Sequence, residues 1–205
     1  MSDRSKVYLK DRRTDELVEA VLIDGVIRAE VEAAEAVWRP IVEQKVAQLR
    51  QIGAPRSAWP EHSHWDWRKK HEATEGLIAY QMFGLECEGK MQGLMLVSTA
   101  GHVCRIPGQA NKDLVYVDFV ASAPWNSASI AAEPRYGLIG SVFVATAIQL
   151  SQSEGFKGRI GLHSLPQAEK FYADRCRMTD LGRDTKKENL RYFEMTPEQA
   201  FDFLR

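Results

Sequence analysis

The sequence predicts an α/β (α+β) fold, a mixed sheet with helices packed on it, and three observations carry that prediction. Strand-like and helical runs alternate along the chain instead of falling into separate blocks. Two apolar runs, LIAYQMFGLECE and KMQGLMLVST, are separated only by a short connector around Gly89, as in an antiparallel hairpin. With 44% hydrophobic and 27% charged residues in 205, the chain can bury a core of one large domain.

Taken in order, Glu16–Gly25 alternates loosely and stops at Asp-Gly, which predicts a strand and a turn. From Ala29 to about Ile52, Val31, Ala34, Val37, Trp38, Ile41, Val42, Val46 and Leu49 recur at three- and four-residue spacing. That is an amphipathic helix, or two if Pro40 restarts it. Gly53, Pro55 and Pro60 mark a loop, and His62–Glu72 predicts a helix anchored by Trp65. After the hairpin, GHVCRIPGQANKD is a connection with room for a short edge strand, and Leu114–Ala123 is a β-prone run ended by Pro124. GSVFVATAIQLSQSEG has helical spacing and closes at Gly155, and GRIGLHS is a short strand. In SLPQAEKFYADRC, Ser164 and Gln167 stand at capping-box spacing, which predicts a helix with Ser164 as N-cap. RMTDLG and LRYFEM are strand candidates, and Thr196 with Gln199 predicts a capped final helix.

The charge balance, 27 basic against 28 acidic residues, provides no global field toward nucleic acid or anionic membranes. The locally basic WRKKH and GRDTKKENLR read as solvated faces. Cys87, Cys104 and Cys176 are widely spaced and odd in number, as expected of reduced thiols in a cytoplasmic protein. The N-terminus has no apolar signal core, and no apolar run reaches a membrane-spanning length of roughly 18 residues. His62, His64, Asp66 and His71 crowd together with no second cluster to close a site, so no metal is expected.

Leu114–Met195 resembles the Gcn5-related N-acetyltransferase (GNAT) superfamily. The matching features are a hairpin, an acid-bearing strand with a proline just after it, and the Arg/Gly loop PRYGLIGS opening a helix. A short strand, a helix carrying AEKFY, the RCRMTDLG segment and a last strand complete them. The resemblance implies a GNAT-like, mixed and mostly antiparallel central sheet with helices on both faces, in a single domain spanning 1–205. Residues 73–205 would supply the hairpin and the acetyl-CoA-binding core, and the elaborated N-terminal region, residues 1–72, would shape the acceptor side. It further implies direct transfer of an acetyl group from acetyl-CoA to a primary amine of a small molecule or protein. The alternative is a non-catalytic acyl-CoA-binding sensor or interaction module on the same fold. Acetyl-CoA and an amine acceptor are the expected partners, with no nucleic acid, membrane or metal; homodimer formation stays open.

Residue by residue, the resemblance places the CoA pyrophosphate against Arg135, Tyr136, Gly137, Leu138, Ile139, Gly140 and Ser141, at a helix N-terminus whose N–H groups suit an anion. Leu138 stands where the family's middle glycine is usual, and Gly137 lies one position earlier. The backbone of Val120, Ala121 and Ser122 would hold the pantetheine arm. Asp118 matches a position often occupied by a glutamate base; a structural strand acid is the competing role, and Tyr116 and Val120 share its face. Tyr172 matches the tyrosine that protonates the departing thiolate, against a core aromatic role for it or its neighbour Phe171. Ser164 stands where many members have a cofactor-contacting asparagine. His163 is an alternative base or a structural histidine, and Cys176 has no activating neighbour in sequence. Trp38, Trp59, Trp65 and Trp67 are candidates for the acceptor wall or for core packing.

Overall fold

In the computed structural model, which describes residues 2–205, the N-terminus forms a hairpin. β1 (Asp3–Asp11) and β2 (Leu17–Asp24) pair antiparallel from Asp3↔Asp24 to Lys10↔Leu17. β1 precedes the strand marked by alternation, and only Leu9 and Asp11 of its residues are buried. Charged pairs hold its exposed face instead: Arg4 with Glu30 at 2.5 Å and Lys6 with Glu19 at 2.7 Å.

α1 (Arg28–Gln51) runs unbroken through Pro40, so the spacing describes one helix. Val31, Ala34 and Trp38 face inward, and so does Glu35. That buried carboxylate accepts the Trp67 N–H at 2.6 Å and is paired with Arg39 at 3.2 Å, which offsets its desolvation. α2 (Trp67–Thr74) is capped by Asp66, whose Oδ1 accepts from the N–H groups of Arg68 and Lys69 at 3.0 and 3.3 Å. Its buried anchor is Trp67, not Trp65, because the helix begins two residues later than the anchor expected from the spacing.

The hairpin of β3 (Tyr80–Cys87) and β4 (Lys90–Ser98) turns at Glu88 and Gly89, both in the left-handed region that two-residue hairpin turns require. β5 (Val115–Ser122), β6 (Tyr136–Gly137), α3 (Ile139–Ser153) and β7 (Ile160–Ser164) follow. β8 (Thr179–Asp184), β9 (Leu190–Met195) and α4 (Pro197–Phe203) end the chain. The sheet is mixed and mostly antiparallel, in the order β6-β1-β2-β3-β4-β5-β7-β9-β8, and β5 runs parallel to β7.

Ser164 is not an N-cap. It is the last residue of β7, its hydroxyl donates to the Leu165 carbonyl at 2.8 Å, and Leu165 precedes a 3₁₀ turn at Pro166–Ala168. Pro166 fixes an extended residue before itself, which delays the helical segment by a residue and breaks the capping-box spacing. That segment ends as a π-helical turn at Phe171–Arg175. The second capping box does form: Thr196 Oγ1 accepts the Gln199 N–H at 3.3 Å, and Gln199 Oε1 accepts the Thr196 N–H at 2.8 Å.

The chain divides into two compact units, one comprising Met1–Leu77, Met82–Leu94 and Val120–Gly140, the other Ile78–Gln81, Met95–Phe119 and Ser141–Arg205. The first buries Leu9, Ile23, Val31, Trp38, Phe83 and Leu85. The second buries Leu114, Phe143, Ile148, Ile160, Leu162 and Phe193. Each such side chain contributes roughly 1.5–3 kcal/mol by leaving water. No helix among the described residues is long and apolar enough to cross a membrane.

Candidate active site

The parallel ladder between β5 and β7 is short. Val115, Tyr116 and Val117 pair with Ile160, Gly161 and Leu162, and the pairing then stops. β5 nevertheless continues to Ser122 and β7 to Ser164. Asp118 is therefore the first residue past the ladder on β5, and His163 the first past it on β7. Backbone groups beyond the last pair of a parallel ladder are released from it, and ligands bind at such carboxyl ends of strands in open sheets. Val120, Ala121 and Ser122 lie on this continuation, with Ala121 buried and its two neighbours half-buried.

After Ser122 the chain turns through Pro124–Asn126 into a buried polar network. Gln92 Oε1 accepts from Trp125 Nε1 at 2.8 Å and from Asn126 Nδ2 at 2.9 Å, while its Nε2 donates to the Cys87 and Lys90 carbonyls, each at 3.1 Å. Asn126 Oδ1 then accepts the Tyr136 N–H at 2.9 Å. Tyr136 and Gly137 pair with Asp11 and Lys10 as β6, so the start of PRYGLIGS is fixed on β1. The next residue, Leu138, has φ +70°. The left-handed conformation that favours glycine is therefore adopted by the leucine, and Gly137 is a strand residue. α3 starts at Ile139, and its first-turn N–H groups have no acceptor within the helix.

Arg135 is held by two carboxylates, Glu88 at 2.9 Å and Asp11 at 3.5 Å. Sequence reasoning missed a second cation here. The exposed Arg12 places its Nε 3.5 Å from where a Gly137 Cβ would stand, and its N–H donates to the Arg135 carbonyl at 2.8 Å. Arg12 belongs to the β1–β2 turn, far from the loop in sequence.

In the other unit, Tyr172 lies on the π turn, buried, with its ring 5.2 Å from Phe171 and 5.9 Å from Phe193 between centroids. Burial pushes its hydroxyl well above the usual phenol range, so it carries a proton at neutral pH. Ser164 is buried and spends its hydroxyl on Leu165. All three cysteines are free and buried; burial pushes Cys104 up to about 11 and Cys176 to about 12, leaving them thiols rather than nucleophiles.

A hydrogen-bonded line runs from the face of β5 that carries Asp118. The Tyr116 hydroxyl is 2.6 Å from His163 Nδ1, His163 Nε2 is 3.1 Å from Asp184 Oδ2, and the same Oδ2 accepts from Arg105 Nη1 at 2.7 Å. His102 stacks on Tyr116 at 3.9 Å between ring centroids, and Tyr192 closes on His163 at 4.6 Å. Gly161 makes room for this packing, since a Cβ there would lie 2.7 Å from the Tyr192 hydroxyl. The alternation along β5 places Tyr116 beside Asp118, but nothing in the sequence ties either to Asp184.

Among the described residues, no group of three or more His, Cys, Asp or Glu is placed to hold a metal ion. Asp66 caps α2 and pairs with Arg68 at 3.0 Å, and His71 Nε2 lies 3.2 Å from the Val26 carbonyl. Trp38, Trp65 and Trp67, with Glu35, His62 and Ser122, line a pocket of about 30 Å³, and the buried Trp38 Nε1 has no hydrogen-bond partner among the described residues. Trp59 stands apart, beneath Arg50 and Arg56.

No protein-family model and no curated protein matches the chain by sequence. Solved structures match it by shape. A GNAT-family acetyltransferase from Listeria monocytogenes covers 93% of this chain and 99% of its own at 10% identity, with a TM-score of 0.54. The GNAT domain of S. lividans PAT matches over 94% and 96% at 12% identity, with a TM-score of 0.52. The PaiA N-acetyltransferase of Thermoplasma acidophilum, solved with coenzyme A, matches over 85% and 98% at 10% identity, also at 0.52. The chain has the GNAT fold. Within that GNAT fold, β5 is the strand whose parallel pairing stops short, and α3 is the helix opened by PRYGLIGS. One unit holds Val120–Ser122 together with the loop from Arg135 to Gly140; the other holds Asp118, Ser141, Ser164 and Tyr172.

Proposed function

We propose that the protein is an acetyl-CoA-dependent N-acetyltransferase that moves the acetyl group directly to a primary amine. The observation that carries this proposal is the parallel ladder ending at Val117 and Leu162 while both strands continue, on a fold shared with acetyltransferases. The freed backbone of Val120–Ser122 suits the amide-bearing pantetheine arm, which binds an extended strand as another strand does. The first turn of α3, entered through the left-handed Leu138, offers N–H groups and a positive dipole end to the pyrophosphate.

In this reaction the acceptor ammonium first gives up a proton, which ends in water. The amine nitrogen attacks the thioester carbonyl, the C–S bond breaks with its electron pair going to sulfur, and the proton the nitrogen then sheds replaces the one that Tyr172 gives to the thiolate. Asp118 is positioned on β5 to attract the ammonium form of the acceptor, and the protonated Tyr172 supplies the proton that the thiolate takes up. Holding amine and thioester in attack geometry provides much of the acceleration.

A second reading, a non-catalytic acyl-CoA-binding sensor or interaction module, draws on Arg135, whose guanidinium is already engaged by Glu88 and Asp11. Release of free thiol from acetyl-CoA across a panel of small amines and lysine peptides separates the two. Amine-dependent release supports the transferase, and saturable binding without release from any acceptor supports the sensor. A Tyr172→Phe variant of a transferase keeps its acetyl-CoA affinity and loses turnover.

A further inference from the structure

The proton positions in the line from β5 to β8 follow from its ends. Asp184 accepts from Arg105 Nη1 at 2.7 Å and from the Lys186 N–H at 3.0 Å, contacts that only a carboxylate makes well. An ionised carboxylate has no proton to give, so His163 Nε2 is the donor across the 3.1 Å contact. Nδ1 then carries the lone pair, and the Tyr116 O–H donates to it at 2.6 Å. This arrangement of acid, imidazole and hydroxyl is that of a catalytic triad, with a phenol as the outer group. It sits where the β5–β7 ladder ends: Tyr116 shares its strand face with Asp118, and His163 is the first residue past the last pair.

We propose that Tyr116, His163 and Asp184 form a proton relay that deprotonates the acceptor amine beside Asp118; this rests on the transferase reading above. A proton from the ammonium passes to the Tyr116 oxygen as the phenolic proton passes to His163 Nδ1. The freed lone pair attacks the thioester carbon, the thiolate leaves with the C–S electron pair and takes the Tyr172 proton, and the surplus proton of the acylated nitrogen passes through water to restore Tyr172. The imidazolium is held beside the Asp184 carboxylate until it returns its Nδ1 proton through Tyr116 to water, after the product has left. Tyr116 is the catalytic residue of the relay, while His163 and Asp184 position and poise it.

The surroundings suit a resting relay. Burial lowers the His163 pKa from its ordinary value and outweighs the Asp184 contact, so the ring is neutral at pH 7 and ready to accept. Burial, with Asp118 nearby, pushes Tyr116 up to about 12, so the phenol holds its proton until an acceptor delivers another. The other charges facing His163 are Arg105, Lys187 and His102 from the loops, and the Tyr192 ring of β9 packs on it, with Glu194 beside Tyr192. Asp184, Arg105, Lys186 and Tyr192 line an open polar pocket of about 350 Å³, which keeps the far end of the relay in contact with solvent.

Two measurements on the full-length protein test this. Nitrogen-15 spectra of the His163 ring should show the proton on Nε2, and Asp184→Asn should move it to Nδ1. A proton on Nδ1 in the wild type overturns the relay. With an acceptor from the amine panel, Tyr116→Phe, His163→Gln and Asp184→Asn should each lower kcat by about 10²-fold with the acetyl-CoA KM unchanged. Their residual rates should climb with hydroxide concentration, where the wild type reaches a plateau. Folded variants that keep the wild-type pH profile overturn the relay while leaving the transferase in place. Failure of the transferase reading registers separately, as wild-type protein that takes up no acetyl-CoA in calorimetry.

Discussion

The side-chain carbonyl of Asn126 accepts the backbone N–H of Tyr136 at 2.9 Å and joins the turn after β5 to the strand that precedes α3. Its amide nitrogen donates to Gln92 at 2.9 Å, so one buried residue sets two segments. Strand end and helix start are the two places assigned to pantetheine and pyrophosphate, and Asn126 stands between them in the chain.

Asn126→Ala leaves the Tyr136 N–H without its acceptor and removes one donor from Gln92. Each lost partner in a buried network costs about 1–3 kcal/mol. Chemical denaturation should show a loss of that size, and acetyl-CoA should bind more weakly because the loop is no longer fixed. An unchanged unfolding midpoint would mean that the network does not hold the loop.

Leu138 adopts φ +70°, which costs an L-residue about 1–2 kcal/mol. Leu138→Gly removes that strain but adds unfolded-chain freedom worth roughly 0.5–1 kcal/mol. The glycine variant should therefore stay within about 1 kcal/mol of wild type and retain acetyl-CoA binding. Leu138→Val, β-branched at positive φ, should be clearly less stable. A loss of about 2–5 kcal/mol in the glycine variant, typical of truncating a core leucine, would show that side-chain packing outweighs backbone geometry here.

Arg12 and Arg135 make opposite predictions. Arg135 is spent on Glu88 and Asp11, whereas Arg12 is exposed beside Gly137. Arg12→Ala should weaken acetyl-CoA binding about fivefold, the equivalent of about 1 kcal/mol for an exposed ionic contact, with no change in thermal midpoint. Arg135→Ala should lower the thermal midpoint instead. Titration calorimetry and thermal melts on both variants distinguish the two roles.

The histidines set the acid limb of stability. Burial lowers the pKa values of His62, His102 and His163 below 6.5 in the folded protein. A base whose folded pKa lies below its unfolded value contributes fully above the unfolded pKa, and the contribution is lost as pH falls through the folded pKa. The melting temperature should therefore be flat above pH 7 and fall below about pH 6.5. Asp184, held well below the usual carboxylate range by Arg105, the Lys186 N–H and His163, adds its own loss only in stronger acid. His163→Gln should flatten the onset of this fall.

Much of this was legible in sequence because it rests on local rules. The hairpin at Glu88-Gly89, the 3.6-residue spacing of α1 and the Thr196–Gln199 box each depend on residues close together in the chain. The failures share a cause too. β1 fully buries only Leu9 among its apolar residues, with Val7 half-buried on the same face, and β6 is two residues long, so neither gives a run long enough to show periodicity. Ser164 and Gln167 had box spacing, but Pro166 between them dictated an extended residue first. In the loop, a leucine signalled a missing glycine, whereas the backbone keeps the left-handed turn. Arg12 stands beside Gly137 in one unit, and Asp184 and Arg105 join His163 in the other, through pairings distant in sequence, which spacing does not encode.

Calorimetric titration of the wild-type protein with acetyl-CoA tests the central claim most directly. The expected result is saturable binding of one acetyl-CoA per chain, weakened by Arg12→Ala and by Asn126→Ala. No heat of binding up to near-millimolar acetyl-CoA would contradict it.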